Sequence, residues 1–139
     1  AGGPEKGPAA KTAPARAAPL VLFADDDAQM RAILRRFLGS LPCEALEAED
    51  GAAAIELARA RRPDIVLLDI SMPKKNGVEV LEELRPEMPE TGFMMISGND
   101  DEGTARECLE LGAFDYIAKP INLAALGEIL KARLILQKT

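Results

Sequence analysis

The chain of 139 residues is long enough for one domain with a hydrophobic core, and its 17 basic and 23 acidic residues give a net charge of −6. An acidic chain argues against a broad phosphate-binding face, so we expect no direct contact with nucleic acid. The chain has no histidine. This absence excludes phosphohistidine chemistry, a histidine general base and most types of catalytic zinc site on the chain's own residues.

Residues 1–19 differ from the rest of the chain because they are rich in Ala, Pro and Gly and show no apolar periodicity. This composition predicts a disordered linker or the remnant of a tag, so we place the folded domain at residues 20–139. No apolar run reaches the ~18 residues of a membrane span, and residues 1–19 lack the apolar segment of a secretory signal. We therefore expect a cytoplasmic protein without membrane contact, in which Cys43 and Cys108 are buried and reduced.

From residue 20 onward, short apolar runs alternate with amphipathic segments. The predicted strands are LVLFA at 20–24, CEALEA at 43–48, IVLLD at 65–69, FMMIS at 93–97 and DYIA at 115–118. Helices are predicted between and after them: at 28–38, at 51–61, around 78–84, at 101–111 and from 123 onward. The first helix carries an apolar stripe formed by Met30, Ile33, Leu34, Phe37 and Leu38. Strict alternation of strand and helix predicts an α/β fold, a doubly wound parallel sheet with helices on both faces.

Polar side chains stand at the carboxyl ends of four predicted strands, where doubly wound sheets bind ligands. They are Asp25, Asp26 and Asp27 after the first strand, Asp69 at the end of the third, Ser97 at the end of the fourth and Lys119 after the fifth. Carboxylates without a soft ligand suit a hard cation such as Mg²⁺. Asp69 could also act as a nucleophile that forms an acyl phosphate, with Lys119 and Ser97 facing the phosphoryl oxygens. An aspartate at a strand end is more often a helix cap, and that is the role we predict for Asp27.

Four segments together resemble the receiver domain of bacterial two-component response regulators. They are VLFADDDAQMR, DIVLLDISMPKKNGVEVLEELR, FMMISG and LGAFDYIAKPI, and the resemblance covers residues 20 to 136. It implies a flavodoxin-like receiver fold, with five parallel strands in the order 2-1-3-4-5 and five helices. It also implies a phospho-acceptor domain that switches its surface on phosphorylation and is not an enzyme with a substrate of its own.

The resemblance also implies a role for each matching residue. Asp69 corresponds to the phospho-acceptor, and Ser97 and Lys119 correspond to the groups that bond the phosphoryl oxygens. Mg²⁺ would be held by Asp25 through water, and directly by Asp26, Asp69 and the backbone carbonyl of Ser71. Ser97 and Tyr116 correspond to the switch pair, which would alter the surface formed by the helix at 101–111, the fifth strand and the last helix. The Lys119–Pro120 bond corresponds to a cis peptide.

The implied partners are a sensor histidine kinase or a histidine phosphotransfer protein, docked near helix 28–38 with its exposed Arg31 and Arg35. A stand-alone regulator and a receiver joined covalently to an upstream domain are equally open. A phosphatase of the haloacid dehalogenase type is disfavoured, because Ser71 stands where that family usually has a second aspartate. A flavodoxin relative is disfavoured because the aspartates after the first strand would repel a phosphate. A pseudo-receiver, which has the same fold without phosphorylation, stays open.

Overall fold

The computed structural model describes residues 18–98 and 100–138. Residue 138 is described by its backbone only. Most of the predicted linker, residues 1–17, lies outside this part of the chain. The strands are β1 (Leu20–Ala24), β2 (Glu44–Ala48), β3 (Ile65–Asp69), β4 (Gly92–Ser97) and β5 (Asp115–Ala118). The helices are α1 (Ala28–Gly39), α2 (Gly51–Arg61), α3 (Gly77–Leu84), α4 (Glu102–Glu110) and α5 (Leu123–Lys138). Every predicted element is confirmed, and the predicted ends differ from those observed by at most one residue.

The strands form one parallel sheet in the order β2-β1-β3-β4-β5, as the resemblance implied. The chain winds outward in both directions from β1 and β3, so the switch in strand order lies between these two strands. Their register pairs Ala24 with Leu68. The next residues along the two strands, Asp25 and Asp69, therefore lie side by side at the carboxyl edge, where such sheets bind ligands.

Each face of the sheet is covered by its own apolar layer. Leu22 and Leu68 face a layer shared with α2, α3 and α4, whereas Phe23 and Leu67 face a layer shared with α1 and α5. All residues of β1, β3 and β4 are buried, which explains why these strands are continuous apolar runs rather than alternating patterns. These buried strands give the polar residues at their carboxyl ends a rigid base.

The first helix follows the prediction at its start and departs from it at one apolar position. Asp27 caps α1, because its side chain accepts a hydrogen bond from the backbone N–H of Gln29 at 2.9 Å. Leu34 and Leu38 are buried, but Ile33 is 47% exposed. Ile33 lies at the edge of the stripe, in an open groove that Phe37 and Leu123 also line. Leu34 and Leu38 face the sheet, so Ile33, at the edge of the stripe, is partly exposed to solvent.

Both cysteines are free thiols, Cys108 fully buried and Cys43 only half-buried. The prediction of two buried thiols is therefore wrong for Cys43. Its sulfur lies 3.5 Å from the carbonyl of Leu38, and the short connection between α1 and β2 leaves it near the surface. No helix in the described part of the chain combines the length and the apolarity needed to cross a membrane.

Candidate functional site

Three carboxylates meet at the carboxyl edge of the sheet. One oxygen from each of Asp25, Asp26 and Asp69 lies within 4.8 Å of the other two. Asp25 is fully buried and Asp69 is 4% exposed, whereas Asp26 faces solvent. The difference follows from the backbone, because Asp25 and Asp69 continue buried strands and Asp26 already belongs to the turn toward α1. Like charges this close repel by about 4 kcal/mol at an effective dielectric near 20, so the cluster calls for a compensating cation.

Lys119 supplies part of that compensation. Its ammonium nitrogen lies 3.3 Å from Oδ2 of Asp25 and 3.3 Å from Oδ2 of Asp69. Its backbone N–H donates to the carbonyl of Ser97 at 2.8 Å, and the Lys119–Pro120 peptide is cis, as the resemblance implied. Burial alone would lower the pKa of Lys119, but the charges of Asp69 and Asp25 outweigh it and raise that pKa. Lys119 therefore stays an ammonium group at the site.

The surroundings of Asp69 make its carboxyl group harder to ionise. Burial, followed by repulsion from Asp25, raises its pKa to about 6, although Lys119 works in the opposite direction. The backbone N–H of Ser71 donates to Oδ1 of Asp69 at 3.3 Å. A carboxylate that is costly to keep ionised, and that lies beside an ammonium and a backbone donor, is suited to nucleophilic attack on an electrophile that enters the site.

A divalent cation fits the residues that are present. Within the described part of the chain, Oδ2 of Asp25 is buried without a hydrogen-bond partner. The ammonium of Lys119 lies 3.3 Å from this oxygen, but it supplies one positive charge to a cluster of three carboxylates, so a further cation would offset the remaining negative charge. The carboxylates and the nearby backbone carbonyls offer oxygen ligands, the donor type that Mg²⁺ prefers.

Ser97 has a buried hydroxyl that makes no hydrogen bond to any described residue. The residue is 1% exposed and ends β4 one strand away from Asp69. A buried hydroxyl group without a hydrogen bond costs on the order of 1–3 kcal/mol of stability, so a hydrogen-bond acceptor placed near Ser97 would be stabilised by it. The hydroxyl is therefore available to a new acceptor at this edge of the sheet.

Tyr116 is half-buried and packs against the apolar layer under α2, α3 and α4. It lies on β5 and pairs in register with Met95, two residues before Ser97. Its hydroxyl lies beside the guanidinium of Arg106 on α4 and is the largest cause of the raised pKa of Arg106. Tyr116 thus stands apart from the carboxylates but within reach of α4.

Ser71 follows Asp69 on the exposed loop toward α3. Its hydroxyl donates to Oδ2 of Asp101 at 3.3 Å, and the backbone N–H of Gly98 donates to the same oxygen at 3.3 Å. Asp101 thus connects the loops that follow β3 and β4, a contact that sequence reasoning missed. The sequence carries no signal for it, since Ser71 and Asp101 are far apart in the chain and an aspartate before a helix suggests a cap.

Arg31 was expected to be an exposed residue, and this expectation is wrong. Its side chain is 16% exposed and pairs with Glu47 of β2 at 3.2 Å. Its Nη1 also donates to the backbone carbonyl of Asp25 at 2.8 Å. Arg35 is exposed as expected, with 57% of its side chain accessible while it pairs with the same Glu47.

Residues 21–131 match the family described as the response regulator receiver domain, and the chain belongs to that family. It is 35% identical over 113 residues to the transcriptional regulatory protein DegU of Brevibacillus brevis, a match covering 80% of this chain and 48% of the relative. It is 42% identical over 105 residues to protein-glutamate methylesterase/protein-glutamine glutaminase 3 of Burkholderia thailandensis, covering 72% of this chain and 29% of the relative. The receiver domain of the response regulator AraT from Geobacillus stearothermophilus superimposes with a TM-score of 0.78 at 33% identity, covering 87% of this chain and 97% of that one.

The chain thus spans about half or less of the length of these curated relatives, some of which are enzymes in their full length. The part that they share with this chain is the receiver domain of a signalling switch.

Proposed function

We propose that this domain accepts a phosphoryl group on Asp69 and passes the signal on through its surface, as a phosphorylation-controlled switch of the cytoplasm. The observation that carries the proposal is the position of Asp69, a nearly buried carboxylate within 4.8 Å of two others and 3.3 Å from the ammonium of Lys119. The donor would be the phosphohistidine of a sensor histidine kinase or of a histidine phosphotransfer protein, since this chain has no histidine.

The cofactor in this proposal is Mg²⁺, held by Asp26, Asp69 and the backbone carbonyl of Ser71, with Asp25 acting through water. When bound, Mg²⁺ supplies positive charge that offsets the negative charge of the carboxylates and of the phosphoryl group. Two observations support this assignment: the buried Oδ2 of Asp25 accepts no hydrogen bond from the described residues, and the donor set consists of oxygens only.

The transfer forms one bond and breaks another. A carboxylate oxygen of Asp69 attacks the phosphorus, the bond between phosphorus and the histidine nitrogen breaks, and the electron pair returns to the imidazole, which takes up a proton. The chain positions the acceptor and supplies charge, with Lys119 facing the oxygens on which charge develops. The hydroxyl of Ser97, which makes no hydrogen bond to the described residues, would then donate to a phosphoryl oxygen.

The readout in this proposal runs from Ser97 to Tyr116. When the Ser97 hydroxyl turns toward the phosphoryl group, it leaves space beside β4, and the ring of Tyr116 on the neighbouring strand moves into that space. Tyr116 also contacts Arg106, so its movement would change the surface formed by α4, β5 and α5. A ligand can drive such a change only by binding one state better than the other, so the site and the ring must be coupled.

The domain assignment is part of the proposal. Residues 20–139 would form the receiver, and residues 1–19 would serve as a linker or represent a tag remnant. The greater length of the curated relatives supports a covalently linked further domain, such as one upstream of this linker.

Phosphorylation of Asp69 can be tested with acetyl phosphate and Mg²⁺, by trapping the acyl phosphate with borohydride and mapping the modified peptide. The adduct should lie on the peptide that contains DIVLLDISMPK, and Asp69→Asn should abolish it. Asp27→Asn is the matched control, because Asp27 neighbours the cluster but caps α1 instead, and it should be labelled like the wild type. An adduct on Asp25 or Asp26 in the wild type would contradict the assignment of roles.

The readout is tested by NMR with beryllofluoride and Mg²⁺ as a stable mimic of the phosphoryl group. Amide shifts should extend to residues 105–111 and Tyr116, and Ser97→Ala should shrink them without preventing binding of the mimic. If a wild-type domain that binds the mimic shows shifts only in the loops around Asp25, Asp69 and Lys119, the proposed readout is wrong. Failure of the wild type to bind the mimic or to form the adduct would favour a pseudo-receiver.

A further inference from the structure

Three hydrogen bonds hold Asp25: one to β2, one to α1 and one within its own turn. Its backbone N–H donates to the carbonyl of Ala48 on β2 at 3.2 Å, and its Oδ1 accepts from the backbone N–H of Asp27 at 2.9 Å. Its backbone carbonyl accepts from Nη1 of Arg31 at 2.8 Å, the shortest of the three contacts. Among described residues, these contacts leave Oδ2 as the carboxylate oxygen without a hydrogen bond, and it points toward Lys119. The turn is therefore arranged to present one oxygen to the site.

Arg31 is in turn fixed by a carboxylate of the sheet. Its Nε lies 3.2 Å from Oε2 of Glu47, and its side chain is 16% exposed. Glu47 pairs in register with Phe23 of β1, so its backbone is part of the sheet and cannot follow the turn if the turn moves. Arg31 thus connects the backbone of Asp25 to a rigid anchor on the neighbouring strand.

We propose that Arg31 is a positioning residue for the Mg²⁺ site, because its guanidinium holds the turn at Asp25 and Asp26 in the geometry that brings the carboxylates together. This inference deepens the proposed function and rests on its metal assignment. Arg31 acts through the backbone carbonyl of Asp25 and does not need to touch the ion. Groups that hold metal ligands in place typically account for ten- to a hundredfold in metal affinity.

The two ways in which Arg31 could affect a bound cation have opposite signs. As a positive charge near the site, it would repel Mg²⁺, so its removal would tighten binding. As a positioning group, it lowers the freedom of the ligands, so its removal would weaken binding. Arg35 provides a matched control, because it bonds the same Glu47 at 2.6 and 2.8 Å and carries the same charge without a described contact to Asp25. The comparison of Arg31 with Arg35 separates geometry from charge.

The experiment titrates the metal-free protein with Mg²⁺ and follows binding by calorimetry and by amide shifts in NMR. Arg31→Ala should weaken Mg²⁺ binding by about tenfold, the low end for such partners, while Arg35→Ala should bind as the wild type does or more tightly. Arg31→Lys keeps the charge, but one ammonium cannot bond both Glu47 and the carbonyl of Asp25 in the fork that guanidinium makes. It should therefore also weaken binding relative to Arg35→Lys, and it provides the comparison if Arg31→Ala does not fold.

A second readout needs no metal. The amide of Asp27, which donates to Oδ1 of Asp25, should exchange its hydrogen faster in the Arg31 variants than in the Arg35 variants, because the turn is looser. If the wild type binds Mg²⁺ and the Arg31 variants bind it as tightly or more tightly, the positioning role is wrong and the proposed function stands. If the wild type itself does not bind millimolar Mg²⁺, both the metal assignment and this inference are wrong.

Discussion

Replacement of Asp69 by asparagine should stabilise the metal-free domain while it removes the proposed phospho-acceptor. Asparagine resembles a protonated aspartic acid in size, so the variant mimics the neutral form of the side chain. The folded environment disfavours the ionised form, because burial and the charge of Asp25 raise the pKa of Asp69 to about 6. An unfolded chain has an aspartate pKa of about 3.9, so the ionised side chain costs stability once the protein folds.

The magnitude follows from the difference between the two pKa values. About two units at about 1.36 kcal/mol each amount to about 3 kcal/mol at pH 7.5, where Asp69 is ionised in both states. Because the pKa of Asp69 is higher in the folded state, the native state binds more protons than the unfolded state between pH 4 and 6. The destabilising contribution of Asp69 to the free energy of unfolding therefore shrinks as the pH falls through that window. At pH 5 the cost has fallen to about 1.5 kcal/mol, so the advantage of the variant should be about half as large.

The assay is urea unfolding followed by far-UV circular dichroism, in chelator, at the two pH values. Glu56→Gln is the control, because Glu56 is exposed on α2 and its neutralisation changes the net charge by the same amount. At pH 7.5 the free energy of unfolding of Asp69→Asn should exceed that of Glu56→Gln by about 1 to 3 kcal/mol. At the lower pH much of this difference should disappear. If Asp69→Asn is no more stable than Glu56→Gln, or if its advantage does not depend on pH, the reasoning from a strained acidic cluster is refuted.

Three further changes test the metal site, the helix cap and the packing behind the acceptor. Mg²⁺ at a hundred times its Kd should raise the unfolding free energy of the wild type by about 2.7 kcal/mol in urea melts, and Asp26→Asn should gain far less. If Asp26→Asn gains as much, Asp26 is not a ligand. Asp27→Ala should cost about 1 kcal/mol, because it removes the cap of α1, with Mg²⁺ affinity kept close to that of the wild type in titrations. Gly77→Ala should be destabilising by about 1–3 kcal/mol in thermal melts, because a Cβ would collide with the backbone carbonyl of Asp69. Gly103→Ala, where a Cβ would meet nothing within 4 Å, should be neutral or stabilising, and equal effects of the two glycine changes would contradict the packing argument.

The sequence predicted where the site lies, but not all of the side-chain contacts around it. The prediction that Asp27 caps a helix is confirmed, and the predicted convergence of Asp25, Asp26 and Asp69 is confirmed as geometry. The exposed position of Arg31 was predicted wrongly, because the path of a long side chain depends on which strand lies next to the helix. Glu47 reaches Arg31 only because β2 pairs with β1, an order that local patterns do not encode. The roles of the site residues in phosphorylation stay predictions until the adduct is mapped.

By itself, the sequence determined the number, order and type of the elements and the edge of the sheet on which the acidic residues lie. It could do so because apolar periodicity and strand ends are local properties, readable within a dozen residues. The tertiary structure alone decided that Asp25 is buried while the adjacent Asp26 is exposed, and that Lys119 lies 3.3 Å from two carboxylates. It also decided that Arg31 holds the carbonyl of Asp25. These contacts join residues from different strands and helices, so they depend on strand order, register and the direction of each side chain, which only the packed fold specifies.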